Sequence, residues 1–119
     1  MKMHVLSIAL GLVLGSSGLA QACDAPQTPE AVDGSSATMD EMVAAQGAVK
    51  AFQAANAEYL ACVDEVMTSE KALVDEGDKD AKERYALAAA DYNAAVSREE
   101  QVAGDFNSAV RAYKAANPE

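Results

Sequence analysis

From Thr38 to Ala116 the apolar positions of this chain recur every seven residues, in two separate stretches. In the first, Met42, Val49, Asn56, Val63 and Glu70 form one row, interleaved with Ala45, Phe52, Tyr59, Val66 and Leu73. In the second, Tyr85, Tyr92, Glu99, Phe106 and Tyr113 alternate with Ala89, Val96, Ala103 and Val110. Sustained rows of this period lie along one side of an α-helix and specify a left-handed seam between two helices. The segment "DEGDKD" interrupts the pattern: Gly77 can take the left-handed conformation that closes a helix, and Asp78 can cap the next. Thr38 with Glu41 three residues on is a capping box, and Pro118 stops the second stretch. The prediction is all-α: an antiparallel two-helix coiled-coil hairpin over residues 38–119, with helices at about 38–76 and 79–116.

Folding the chain at Gly77–Asp78 sets the register. Met42 then faces Tyr113, Val49 faces Phe106, Phe52 faces Ala103, Tyr59 faces Val96 and Val63 faces Tyr92. Large opposes small in most layers, as dense packing requires. Two polar positions fall opposite polar-capable partners: Asn56 meets Glu99, and Glu70 meets the Tyr85 hydroxyl. Asn56–Glu99 is therefore expected as a buried polar layer that fixes register rather than as a ligand site. Asp78/Lys82 and Asp80/Arg84 are i,i+4 pairs in the favourable order.

The flanks of the seam differ. Ala48, Ala55, Cys62 and Ser69 face Ala88, Ala95, Val102 and Ala109 across a groove of small residues. On the other flank Leu60, Met67 and Val74 make a short apolar stripe, expected to be wet and so to meet a second copy or a protein partner. Residues 23–37, "CDAPQTPEAVDGSSA", show no period and carry Pro26 and Pro29, which favour an extended strap. From Thr38 to Cys62 an α-helix runs about 36 Å, whereas the 15 residues back to Cys23 can span about 50 Å. The strap can thus lie in the small-residue groove and bring Cys23 to Cys62 as a disulfide.

Two other fates remain open for Cys23. Residues 1–22 begin with Lys2, continue with an apolar run of 11 residues from Val5 to Gly15, and end in Ala20-Gln21-Ala22. That is the layout of a secretory signal, and the run is shorter than a membrane span requires. Cleavage after Ala22 would leave Cys23 first in the mature chain, where lipidation is an alternative, although Ala20 stands where lipoprotein signals usually carry Leu. A buried free Cys62 is the third possibility. The sequence carries a formal charge of −10, and loss of Lys2 leaves 8 basic against 19 acidic residues, or −11. So acidic a small domain does not suit nucleic acid or anionic lipid.

The patterns Cys23-x-x-Pro26, "MVAAQGAVKAF" and "YLAC" resemble a family of small exported proteobacterial proteins of uncharacterised function, over residues 23 to about 65. The resemblance implies export and paired cysteines and carries over no catalytic residue. The only histidine is His4, inside the signal, and there is no tryptophan. Histidine-dependent nucleophilic catalysis and His-containing zinc sites are therefore excluded from the mature chain. Gly34, Gly47, Gly77 and Gly104 are isolated and make no phosphate loop. Asp64/Glu65 and Glu99/Glu100 are adjacent, so their side chains diverge on a helix. "DEGDKD" lacks the spacing of a calcium loop, and Tyr85, Tyr92 and Tyr113 suit a core rather than a binding platform. The expectation is a non-enzyme without cofactor or metal, periplasmic or secreted, acting as a protein-interaction module. The alternative is a structural or lipid-anchored envelope protein that self-assembles through its apolar strips, with membrane contact only if Cys23 is lipidated.

Overall fold

The computed structural model describes residues 23–119, so the secretory signal read over residues 1–22 lies outside the described residues. Two α-helices follow an irregular N-terminal segment: α1, Met39–Asp75, and α2, Lys79–Ala116. They pack against each other as a hairpin, and no strand occurs among the described residues.

The ends of both helices form where their sequence signals lie. Thr38 Oγ1 accepts from the Glu41 N–H at 3.1 Å, and the Glu41 carboxylate accepts from the Thr38 N–H at 2.8 Å. Two of the N–H groups that a helix start leaves unpaired are thereby satisfied. At the other end Gly77 has φ +96°, and its N–H donates to the Val74 carbonyl at 3.0 Å while the Asp78 N–H reaches Leu73 at 3.0 Å. This Schellman closure turns the chain with a single left-handed residue. Asp78 Oδ1 then accepts from the Asp80 and Ala81 N–H groups at 2.9 and 3.1 Å, opening α2. Thr38 and Glu76 are thus caps rather than helical residues, a one-residue difference at each end of α1.

Asn56 confirms the register, because its Nδ2 donates to Glu99 Oε2 at 3.2 Å. Two details of the expected seam are different. Glu70 does not spend its carboxylate on Tyr85; it accepts from Arg84 Nε at 3.0 Å, and Arg84 Nη2 also meets Asp78 Oδ2 at 3.3 Å. A guanidinium forks between two carboxylates better than a phenol serves one, and it abandons Asp80 to do so. The second difference concerns which row of α2 is buried deepest. Tyr85, Tyr92, Phe106 and Tyr113 are only half-buried, whereas Ala81, Ala88, Ala95 and Ala109 are buried. Three of these alanines lie on the flank that the strap also approaches, so side chains of one carbon are covered from two directions. The aromatic rings keep an edge in water.

Candidate interaction site

The strap brings the two cysteines together. Cys23 and Cys62 stand at disulfide distance, with Cα atoms 5.8 Å apart and a sequence separation of 39. Cys23 packs against a cluster of Tyr59, Val63, Ala88 and Ala95. Pro29 to Val32 then lie over Val49, Val102 and Phe106, lining with them a partly open cavity of about 30 Å³. The groove is filled less symmetrically than its composition suggests: Ala48 and Ser69 of α1 remain exposed.

Ser69 lies seven residues past Cys62, where the described strap begins. Towards the open end the strap meets α2 at Gly34, which sequence reasoning saw only as an isolated glycine. Gly34 is buried, and a Cβ placed on it would run into the carbonyl of Ala109. Backbone meets backbone there, so the strap is drawn onto the α2 wall. A turn holds it in place. The Asp33 carboxylate accepts from the Ser35 Oγ at 2.6 Å and from the Ser35 N–H at 3.0 Å. The Asp33 carbonyl takes the N–H groups of Ser36 and Ala37. The hydrogen bond from the Ser35 hydroxyl, followed by that from its N–H, holds the Asp33 carboxyl below its usual pKa.

Leu60, Met67 and Val74 are half-buried rather than wet, and Leu60 and Met67 pack onto the Tyr59–Val63 cluster. The stripe spends much of its apolar surface inside the hairpin. The large apolar side chains that do face water are elsewhere: Met39 and Val43 are each 59% exposed, with Leu73 and Leu87 also outward. Met39 and Val43 join Met42, Phe106, Val110 and Tyr113 in a groove at the open end of the hairpin. This groove was missed from sequence because Met39 and Val43 sit off the heptad rows. Their i,i+4 spacing on the first turns of α1 was the available signal.

Asn56 is fully buried, with Nδ2 also donating to the Ala95 carbonyl at 3.2 Å. Its Oδ1 is buried without a hydrogen-bond partner among the described residues. Near the turn, the hydrogen bond to Glu70 first, and then the Asp78 contact, hold the Arg84 pKa above its usual value. Among the described residues no group of three or more His, Cys, Asp or Glu side chains is placed to hold a metal ion. No helix among them is long and apolar enough to cross a membrane. In comparisons with known proteins, no family model, curated protein or solved structure matches the chain.

Proposed function

We propose that this chain is an exported, non-enzymatic helical-hairpin protein whose open end docks an amphipathic helix of a protein partner. The observation that carries the reading is the open-end groove, where Met39 and Val43 stand exposed beside Met42, Phe106, Val110 and Tyr113. A valley between two helices is the shape that the apolar face of a third helix fills, through side chains at i, i+3, i+4 and i+7. Apolar side chains gathered at one end of an otherwise acidic chain mark a surface that another molecule covers.

Export to the periplasm or the outside is supported by the signal-like residues 1–22 and by the cysteine pair, since disulfides persist in oxidising compartments. The resemblance of residues 23–65 to exported proteobacterial proteins points the same way. The lipid-anchored alternative competes for one atom: a thioether to lipid at Cys23 and a bond to Cys62 use the same sulfur. Intact mass distinguishes them, an unmodified chain from Cys23 lacking two hydrogens against a chain carrying acyl mass.

The docking test is a crosslinking capture from periplasmic extract, comparing the wild type with a Met39→Ser, Val43→Ser variant. Both side chains are exposed, so the variant keeps its fold. A partner retained by the wild type and lost by the variant supports the groove. Equal recovery of the same partner by both rejects it.

A further inference from the structure

We propose that the strap is a redox latch: the Cys23–Cys62 bond holds its N-terminal half on the hairpin, and a dithiol reductant frees that half while Gly34 keeps the remainder seated. The latch lies along the small-residue flank and borders the open-end groove at Phe106. Its test reads cleavage of the strap rather than partner capture, so its failure is distinguishable from failure of the docking reading.

The two ends of the strap are anchored by different means. At the C-terminal end, Gly34 sits backbone to backbone on Ala109. The Asp33 turn leads from there into the Thr38 cap through hydrogen bonds to Ser35, Ser36 and Ala37. At the N-terminal end, Cys23 is joined to Cys62. Between these anchors, Asp24 to Val32 form no hydrogen bond with either helix among the described residues. Only Pro26, Pro29 and Val32 are half-buried there; Asp24, Ala25, Gln27, Thr28, Glu30 and Ala31 are exposed. Asp24 and Glu30 also bring negative charge onto a chain that is already strongly acidic. Three partly covered side chains do not offset the entropy of ordering this segment. The bond from Cys23 to Cys62 is the covalent anchor at this end, beside the packing of Cys23 on the Tyr59–Ala95 cluster.

The chemistry balances with a dithiol as the electron donor. One of its thiolates attacks a sulfur of the Cys23–Cys62 bond, and the other cysteine leaves as a thiolate. The second thiol of the donor then displaces the mixed disulfide. Two electrons and two protons pass to Cys23 and Cys62, and the donor leaves as its own disulfide. The released segment uncovers Ala88, Ala95 and the Tyr59 edge of the cluster that Cys23 had covered.

Limited proteolysis of the folded, oxidised protein tests this, with dithiothreitol as the probe and cleavage sites mapped by mass. Reduction is expected to speed cleavage within Asp24–Val32 about thirty-fold or more, because cleavage follows the population of the open segment. Cleavage beyond Gly34 and the helical circular dichroism should stay unchanged. Cys62→Ser should reproduce the reduced pattern without any reductant. Gly34→Val, reduced, should extend the sensitive stretch to Ala37. A strap still protected after both thiols are titrated overturns the proposal, as does loss of helix together with the strap. An unmoved cleavage boundary in Gly34→Val removes the second anchor and overturns it as well.

Discussion

The two flanks of the seam are built by the same pair of helices, yet they treat their side chains in opposite ways. On the strap flank, alanines at 88, 95 and 109 are buried, with Ala95 wholly sealed. On the open flank, Met39 and Val43 keep more than half of their surface in water. Hydrophobicity alone would rank these residues in the reverse order. What separates them is a third layer: one flank has an extended segment lying over it, and the other has none. Two helices cannot enclose both sides of their own seam, so the flank without a strap keeps its large side chains partly wet. They are half-buried at Leu60, Met67 and Val74 and exposed at Met39 and Val43. Phe106 lies between the regimes, bordering both the strap cavity and the open groove.

The largest effect should come from the seam itself. Phe52 is 3% exposed, and Phe52→Ala should lose about 3 to 5 kcal/mol in denaturant unfolding. Phe106→Ala should lose clearly less, because that ring is half-buried; equal losses would mean that neither flank wets the ring. Next comes Cys62→Ser, expected to lower stability by about 2 to 4 kcal/mol through the freed unfolded chain. If its midpoint matches that of the wild type, the bond does not constrain the unfolded chain. A glycine series separates the flanks more finely. Gly34→Ala forces a methyl group into Ala109 and should cost about 1 to 3 kcal/mol. Gly47→Ala, with open space around its Cβ, should gain about 0.5 to 1 kcal/mol from helix propensity. Met39→Ser or Val43→Ser, uncovered in the isolated chain, should shift the unfolding midpoint by no more than about 0.5 kcal/mol each. The smallest effect concerns pH. The Ala81 N–H first, with the Asp80 N–H and Arg84, holds the Asp78 carboxyl below its ordinary pKa. Its folded pKa is depressed, so its contribution is complete above the unfolded value and fades as pH falls through the folded one. The difference in melting temperature between wild type and Asp78→Ala should therefore persist at pH 6 and shrink below about pH 4. A constant difference down to pH 2 would show that the carboxylate charge is not what caps α2.

Much of the hairpin could be read in advance because its signals are local. Thr38 with Glu41, Gly77 and Asp78 each act within a few residues, and the heptad rows need only the fold-back point to set Asn56 against Glu99. The strap's reach to Cys62 followed from chain length alone. What escaped depended on approach distances that no spacing encodes. Gly34 reads as loop punctuation until its backbone is seen against Ala109. The alanine row reads as a passive wall, since its depth comes from a segment that lies more than fifty residues away in sequence from most of it. Arg84 looked tied to Asp80 because i,i+4 pairs are visible in sequence, whereas Glu70 is brought to it only by the fold. Leu60 and Met67 looked wet because nothing in their spacing reveals that they lean on Tyr59 and Val63. Met39 and Val43 escaped for a related reason: they lie outside the repeat that defined the search.

The placement of the two cysteines also orders events in time. Both sulfurs, and all the chain between them, belong to residues 23–62, so the clasp can close before α2 has docked. A chain delivered N-terminus first would present a ring of strap and half-helix before the second helix arrives. The late-coming α2 must then dock its alanine row against a segment already fastened at Cys62, and only its arrival seats Gly34 on Ala109. Small side chains suit that arrival, because a surface of methyl groups can slide to its register under a closed clasp where a bulky one would catch.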